Sequence, residues 1–268
     1  VALAGAGQFV WMAAACRRAG IALRLPRPRL TADVRKLLKL MVPAGLTAGV
    51  HQINPFTAPI FPPLEGGAVS YLYYADRVSQ LPLGVVGVAV GTALLPMLSR
   101  ALRAGDEAQA MDHQCRAIEV ALLLTLPAAA ALIVLHEPIV AVLFERGAFG
   151  AEAVAATGIS LAAFALGLPA YVLVKVLTPN FFARKDTRTP VFTAAVSLVI
   201  TVGLNILLVP RLGVLALAVA GSIGAWCNVM LLYAILVRRG YFRLPSRIAG
   251  RIVRIFIAAL AMALALWA

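Results

Sequence analysis

Long apolar runs separated by short polar segments dominate the pattern of the 268-residue chain. A helix needs roughly 20 mostly apolar residues to cross about 30 Å of hydrocarbon, and these runs have that length. They lack the alternation of apolar and polar positions that marks the strands of a membrane barrel. The pattern therefore predicts an all-α integral membrane protein, a polytopic helix bundle. The predicted spans are residues 41–64, 69–98, 117–143, 153–179, 189–209 and 212–237.

Both ends of the chain are apolar as well. Residues 1–16 are interpreted as the end of a truncated transmembrane helix and residues 252–268 as the beginning of another, so we expect a piece of a longer polytopic protein. Residues 17–40 are predicted to form a basic cytoplasmic loop with an amphipathic helix. Residues 41–251 are predicted to form a six-helix transmembrane bundle.

Composition and charge support a membrane location. The chain is 62% hydrophobic and 13% charged, whereas soluble domains carry about 25% charged residues. Its net charge of +13 could indicate nucleic acid binding, but most Lys and Arg residues lie in alternate loops, which is the positive-inside pattern. We therefore exclude nucleic acid as a partner and expect membrane lipids at the basic face. The loops predicted to be cytoplasmic lie near residues 17–40, 99–116, 180–188 and 238–254, and those predicted to face outward lie near 62–68, 136–152 and 209–213.

Residue types that enzymes use are scattered along the chain. The three cysteines form no CxxC or Cys/His pattern, which argues against a metal site, a disulfide framework and a bound cofactor. The eleven acidic residues form no cluster that would hold Mg²⁺ against a pyrophosphate. No serine lies in the elbow motif of a hydrolase. We therefore predict that the protein is not an enzyme.

One predicted span combines polar side chains with helix breakers. The segment 50–63, VHQINPFTAPIFPP, places Asn54 and other polar residues around Pro55 and Pro59. A buried polar group in hydrocarbon needs a partner, and proline frees backbone carbonyls that need one too. The segment is interpreted as the lining of a cavity. The alternative is that its polar residues hold neighbouring helices together by hydrogen bonds.

Charged residues inside predicted spans are costly and usually face a cavity or a partner. Arg77 lies near the outer end of the span 69–98, where it can bind a phosphate or anchor the helix at the headgroups. Asp76 is adjacent and projects about 100° away, so the two cannot form a pair on one helix face. Lys175 can either face the same cavity or extend to the interface.

Two stretches carry a resemblance to a known family. YYADRVSQLPLGVVGVAVGTALLPMLSR, residues 73–100, and VKVLTPNFFARKDTRTPV, residues 174–191, resemble the MurJ (MviN) family of bacterial lipid II flippases. The outward loop from Phe144 to Phe149 also fits that family. The resemblance implies the second lobe of a two-lobe exporter-type flippase, within the multidrug/oligosaccharidyl-lipid/polysaccharide exporter superfamily.

The function implied by the resemblance is transport of a cell-wall precursor. Alternating access would move lipid II, undecaprenyl-pyrophosphoryl-MurNAc-pentapeptide-GlcNAc, from the cytoplasmic to the periplasmic leaflet of the bacterial inner membrane for cell-wall synthesis. Cell-wall synthesis proteins are candidate partners. One alternative is a related exporter of drugs or polyprenyl-linked glycans. The other is a non-transporting membrane scaffold of the cell-wall machinery.

The resemblance also suggests roles for individual residues. It implies that Arg77 is a cavity residue that binds substrate; the candidates beside it are Asp76, Gln80 and Lys175. It implies that the helix equivalent to 41–64 takes part in gating, with Pro55, Pro59 and Asn54 as the candidate residues. Some relatives carry an acid for sodium in this helix or in the one equivalent to 189–209. This chain has none in either span, which argues against such a sodium site.

Overall fold

The computed structural model describes residues 2–18, 67–213 and 215–267. The chain divides into two compact units, Val1–Met41 and Val42–Ala268. In the first unit the described element is α1, Ala2–Arg18. The helices described in the second unit are α2 (Ala68–Pro82), a π-helical segment (Leu83–Val88), α3 (Ala89–Arg103), α4 (Glu107–Val134), α5 (His136–Phe144), α6 (Ala151–Ala183), α7 (Arg188–Leu212), α8 (Leu215–Arg238) and α9 (Ser246–Trp267).

The prediction of an all-α membrane protein is confirmed. Six helices in the described part of the chain are long and apolar enough to cross a membrane, namely Val69–Arg103, Glu107–Val134, Ala151–Ala183, Arg188–Leu212, Leu215–Arg238 and Ser246–Trp267. Helices suit hydrocarbon because each one satisfies its own backbone hydrogen bonds. The predicted span 41–64 and the predicted loop 17–40 lie outside the described residues.

The predicted span 117–143 is wrong at both ends. Helix α4 begins ten residues earlier, where the Asp106 side chain accepts a hydrogen bond of 2.8 Å from the Gln109 amide. It ends at Val134, and α5 follows after one residue. His136 contributes to this break because its Nδ1 lies 2.8 Å from the Ile133 carbonyl oxygen. Charged residues before 117 suggested a loop, but they form a helical extension on the polar side of the span.

Helix α6 is the centre of the second unit. It packs against α2, α3, α4, α5 and α8, whereas α9 contacts mainly α4. Buried α6 residues enter one apolar cluster with α2 and α5 and a second with α3, α4 and α8. A buried hydrogen bond of 2.9 Å from Gln114 Nε2 to the Val176 carbonyl ties α4 to α6. The central helix therefore supports α2, which carries Asp76, Arg77 and Gln80, and itself carries Lys175.

Candidate functional site

Helix α2 has a buried face and an exposed face. The buried face packs against α6 through Leu72, Ala75 and Val78. The exposed face carries Tyr73, Arg77 and Gln80 at helical spacing, here called the polar stripe, together with the exposed apolar residues Val69 and Leu81. Arg77 lies about 13 Å along the helix from Ala68, at 1.5 Å per residue. An arginine at this position points away from the core of its own bundle.

Gln80 connects the two neighbouring charges. Its Nε2 donates a hydrogen bond to Asp76 Oδ2, one helical turn before it. Its Oε1 accepts a hydrogen bond of 3.4 Å from Arg77 Nη1. Asp76 and Arg77 are therefore both hydrogen bonded to one amide side chain, although adjacent helix positions diverge too far to pair directly. The amide orients the Arg77 guanidinium while leaving most of its donors free.

Aromatic rings surround the outer end of α2. The Arg77 guanidinium lies 4.9 Å from the centroid of the Tyr73 ring, within cation–π range. On the other side, the Tyr74 ring lies 4.8 Å from Phe144 and 5.5 Å from Phe149, centroid to centroid. Edge and tilted aromatic pairs of this kind contribute about 0.5–1.5 kcal/mol each. The loop after α5 thus fixes the end of α2 from which Arg77 projects.

Lys175 lies on α6 and contacts the π-helical segment. A Cβ at Gly87 would lie 2.9 Å from Lys175 Cδ and 3.5 Å from its Nζ. A Cβ at Gly91 would lie 3.5 Å from the Lys175 carbonyl oxygen. The two glycines therefore let α6 approach closely, and the half-buried lysine stem occupies the space. Lys175 does not lie at the end of its helix, since α6 continues to Ala183.

The π-helical segment has a local cause. Pro82, the last residue of α2, lacks the amide that would bond to the carbonyl four residues earlier. The π-helical turns of Leu83–Val88 follow directly. Such turns insert a residue into an α-helix and are frequent at functional sites. Here the insertion brings Gly87 against Lys175.

Tyr171 lies one turn before Lys175 on α6, on the helix that packs against the one carrying Asp76 and Arg77. It lies near Asp76 of α2 and Ser222 of α8. Ser222 Oγ donates to the Ala163 carbonyl at 2.7 Å. Gly167 permits this arrangement, because a Cβ there would lie 2.6 Å from Ser222 Oγ.

The predicted site residues therefore fall at two levels. Asp76, Arg77 and Gln80 form one group, as their spacing allows. Lys175 contacts the same continuous helix ten residues beyond Arg77, about 15 Å further along it. The predicted gating residues Asn54, Pro55 and Pro59 lie outside the described residues.

Sequence reasoning assigned no site role to Tyr171, Ser222 or Gly87. The i to i+4 spacing from Tyr171 to Lys175 is the one signal that could have found the tyrosine. The contacts of Ser222 and Gly87 depend on how α6 packs against α8 and against the π-helical segment. No pattern within one helix reveals that packing.

No metal site is assigned. The described ranges, 2–18, 67–213 and 215–267, contain no group of three or more His, Cys, Asp or Glu residues placed to hold a metal ion. Asn205 is fully buried in α7, and neither atom of its amide has a hydrogen-bond partner among the described residues. A lone amide supplies too few oxygen ligands for a cation site.

Comparison with known proteins gives a consistent result. Residues 1–268 match the family described as "Lipid II flippase MurJ". The chain is 49% identical over 259 residues to "Probable lipid II flippase MurJ" of Rhizobium meliloti, covering 97% of this chain and 48% of the relative. It is 43% identical over 262 residues to the protein of the same name from Rhizobium tropici, covering 98% of this chain and 49% of the relative.

A solved structure shows the same fold. The structure described as "Lipid II flippase MurJ, inward closed conformation" superposes with a TM-score of 0.73 at 28% identity, covering 89% of this chain and 50% of that chain. The present chain spans about half the length of the curated relatives that it matches.

Proposed function

Because the chain belongs to the MurJ family of lipid II flippases, we propose that it forms the second lobe of a protein that moves lipid II from the cytoplasmic to the periplasmic leaflet. The chain is a multi-pass protein of the bacterial inner membrane. The proposed mechanism is alternating access, in which two lobes rock around a central cavity. The substrate is proposed to cross without any bond being made or broken, so the protein acts as a transporter and not as an enzyme.

The exposed position of Arg77 is the observation that carries this proposal. An ionisable residue within a span is stable when it faces water, a partner or a cavity, and costly when it faces lipid. Arg77 lies on the face of α2 opposite the bundle core, and Gln80 and Tyr73 hold it there. Its planar fork of donors matches the oxygen geometry of a pyrophosphate. We propose that Arg77 binds the pyrophosphate of lipid II, with Asp76 and Gln80 as its positioning residues.

Lys175 is proposed as a second cation on the path of the same phosphate. Its position beside Gly87 is deeper along the helix than that of Arg77. A pyrophosphate that moves outward would then pass from one cation to the other without losing all charge compensation. Asn54, Pro55 and Pro59 remain proposed gating residues on the strength of the sequence pattern. Membrane lipids, and cell-wall synthesis proteins that use the flipped precursor, are the other proposed partners.

The test uses full-length protein in cells depleted of their own flippase. We expect Arg77→Ala to abolish growth and lipid II accessibility at the outer leaflet, and Arg77→Lys to restore part of both because the charge remains. Arg103→Ala is the matched control, since it removes one arginine at a helix end away from the polar stripe. Normal growth of Arg77→Ala at normal expression would overturn the role of Arg77. Normal growth without any lipid II exposed at the outer leaflet would contradict the proposal that lipid II is the transported substrate.

A further inference from the structure

An apolar groove lies between α4 and α9, away from the polar stripe. Its volume is about 390 Å³. The residues that decide its character are Leu123 and Pro127 of α4 and Arg254, Ala258 and Met262 of α9. Apart from Arg254, these side chains are apolar. The groove is therefore apolar, with one charged residue, Arg254, in its lining.

The shape of the groove follows from its residues. Pro127 lacks an amide, so the carbonyl of Leu123 has no helical donor four residues later. Opposite this point, α9 presents Ala258, whose small side chain does not fill the space. A proline on one wall and an alanine on the other thus leave a gap between two helices that otherwise pack together.

Arginines extend the groove toward the beginning of α9. Arg247, Arg251 and Arg254 lie at i, i+4 and i+7, which places them on one helix face. Arg251 Nη1 donates to both oxygens of Glu119 on α4, at 3.0 Å each, so this face turns toward α4. Arg254 has no ion-pair or hydrogen-bond partner among the described residues.

The same helix row then becomes apolar. Ala258 and Met262 continue it at intervals of four residues beyond Arg254. Arg254 lies about 12 Å along α9 from Ser246, at 1.5 Å per residue. The beginning of α9 follows the basic loop predicted to be cytoplasmic. The row is therefore cationic near the predicted inner headgroups and apolar deeper in the membrane.

We propose that this groove binds an anionic phospholipid of the cytoplasmic leaflet. The phosphate interacts with Arg254 and Arg247, and one acyl chain lies along Ala258 and Met262. Charge complementarity supports this occupant, since basic pockets between helices at the cytoplasmic side bind anionic headgroups. The apolar half of the groove suits a hydrocarbon chain, because burial of each methylene group away from water is favourable. This inference is independent of the substrate that the protein transports.

The test measures lipid binding to delipidated full-length protein by native mass spectrometry. Phosphatidylglycerol is the probe, and zwitterionic phosphatidylethanolamine is the comparison lipid. We expect Arg254→Gln to weaken phosphatidylglycerol binding about tenfold, the loss of one hydrogen bond to a charged group. Ala258→Phe fills the groove and is expected to weaken binding of both lipids at this site. Arg103→Gln removes a similar charge from another helix end and is expected to leave binding unchanged.

Several outcomes would overturn the proposal. Equal binding by the wild type and Arg254→Gln would show that the arginine does not hold the headgroup. An equal loss in Arg103→Gln would show diffuse attraction instead of a site. Displacement of phosphatidylglycerol by lipid II, one molecule for one, would assign the groove to the transported lipid. Arg254 is exposed, so its variant is expected to fold even if Ala258→Phe does not.

Discussion

At the residue scale, Gln80 positions the side chains of the two charged residues near it, Asp76 and Arg77. It stands four residues after Asp76 and three after Arg77, and both positions lie on neighbouring parts of one helix face. An amide offers a donor and an acceptor at once, so it can serve the acid and the base together. A carboxylate at this position would pair with Arg77 and compete with a phosphate for the guanidinium. The neutral residue leaves Arg77 oriented and available.

Gly87 is the residue on which the position of Lys175 depends. A Cβ at Gly87 would come within 2.9 Å of Lys175 Cδ, so Gly87→Ala must displace the lysine side chain. We expect this variant to lower lipid II flipping several-fold, measured as outer-leaflet lipid II per molecule of protein in the membrane. Gly84→Ala is the matched control, because nothing lies within 4 Å of a Cβ there.

A double-mutant comparison separates the lysine from packing effects. If Gly87→Ala acts through Lys175, its effect disappears in the Lys175→Ala background. An undiminished effect in that background would show that close helix approach, and not the ammonium group, is what Gly87 provides.

At the element scale, the turn between α6 and α7 is ordered by the motif ARKDTRTP. Lys185 adopts a left-handed conformation with φ of 61°. The Asp186 amide donates to the Phe181 carbonyl at 2.9 Å and the Lys185 amide to the Phe182 carbonyl at 2.9 Å, which is the Schellman pattern of helix ends. The Asp186 carboxylate then accepts hydrogen bonds from the first amides of α7, those of Arg188 and Thr189.

Arg184 connects this turn to α4 and to the loop after α8. It forms two hydrogen bonds with Glu107, one with Asn180 at 3.1 Å, and a cation–π contact with Tyr241 at 4.1 Å. The Arg184 side chain is 15% exposed, so its contacts with Asn180 and Tyr241 are only partly screened by solvent, whereas Glu107 is 63% exposed. We expect Arg184→Ala to lower the free energy of unfolding by about 1–3 kcal/mol. The measurement is the shift of the unfolding midpoint in detergent.

Arg116→Ala is the control for that prediction. The pair between Arg116 and Asp112 is also an Arg–carboxylate contact, at 2.9 Å, but its side chains are 75% and 55% exposed. Exposed pairs contribute about 0–1 kcal/mol, so the midpoint of this variant should change little. Equal shifts in the two variants would contradict the role given to the several contacts of the Arg184 side chain.

Asp186 should make the stability depend on pH. Burial disfavours the charged carboxylate, but hydrogen bonds from Thr189 and Arg239 outweigh it, so the pKa of Asp186 lies below its ordinary value of 3.8. A lowered folded-state pKa gives stability that is present above pH 3.8 and is lost as the pH falls through the folded-state pKa. We therefore expect Asp186→Asn to be destabilised at neutral pH, with a difference from the wild type that shrinks below pH 3.8. Unfolding midpoints across this range measure it, and a difference constant with pH would contradict it.

At the scale of the whole molecule, orientation in the membrane follows from charge. The positive-inside pattern predicts that the loop between α5 and α6 faces the periplasm and that the turn between α3 and α4 faces the cytoplasm. In a background with the native cysteines replaced, we expect Ala148→Cys to react with a membrane-impermeant maleimide in cells with a permeable outer membrane. Ala104→Cys should react only after the inner membrane is opened. The reverse labelling would invert the topology and move Arg77 to the opposite leaflet.

Much of this molecule could be predicted from apolar run lengths and arginine distribution, because a membrane restricts the backbone to helices of a known length. The helix ends could not be predicted equally well. Residues 107–116 are polar and were expected in a loop, yet they form the first turns of α4 under the Asp106 cap. Where a helix leaves the hydrocarbon, hydropathy no longer marks its end and capping decides it.

The sequence by itself determined the membrane class, the predicted orientation and the local group of Asp76, Arg77 and Gln80, because spans and i to i+4 contacts are properties of one segment. Tertiary structure alone decided that Arg77 faces away from the bundle core, that Lys175 lies against Gly87, and that Arg254 lies at the edge of an apolar groove. Those facts depend on how α6 packs against α2 and α3 and how α9 packs against α4. Such contacts join residues far apart in the chain, and helical periodicity carries no information about them.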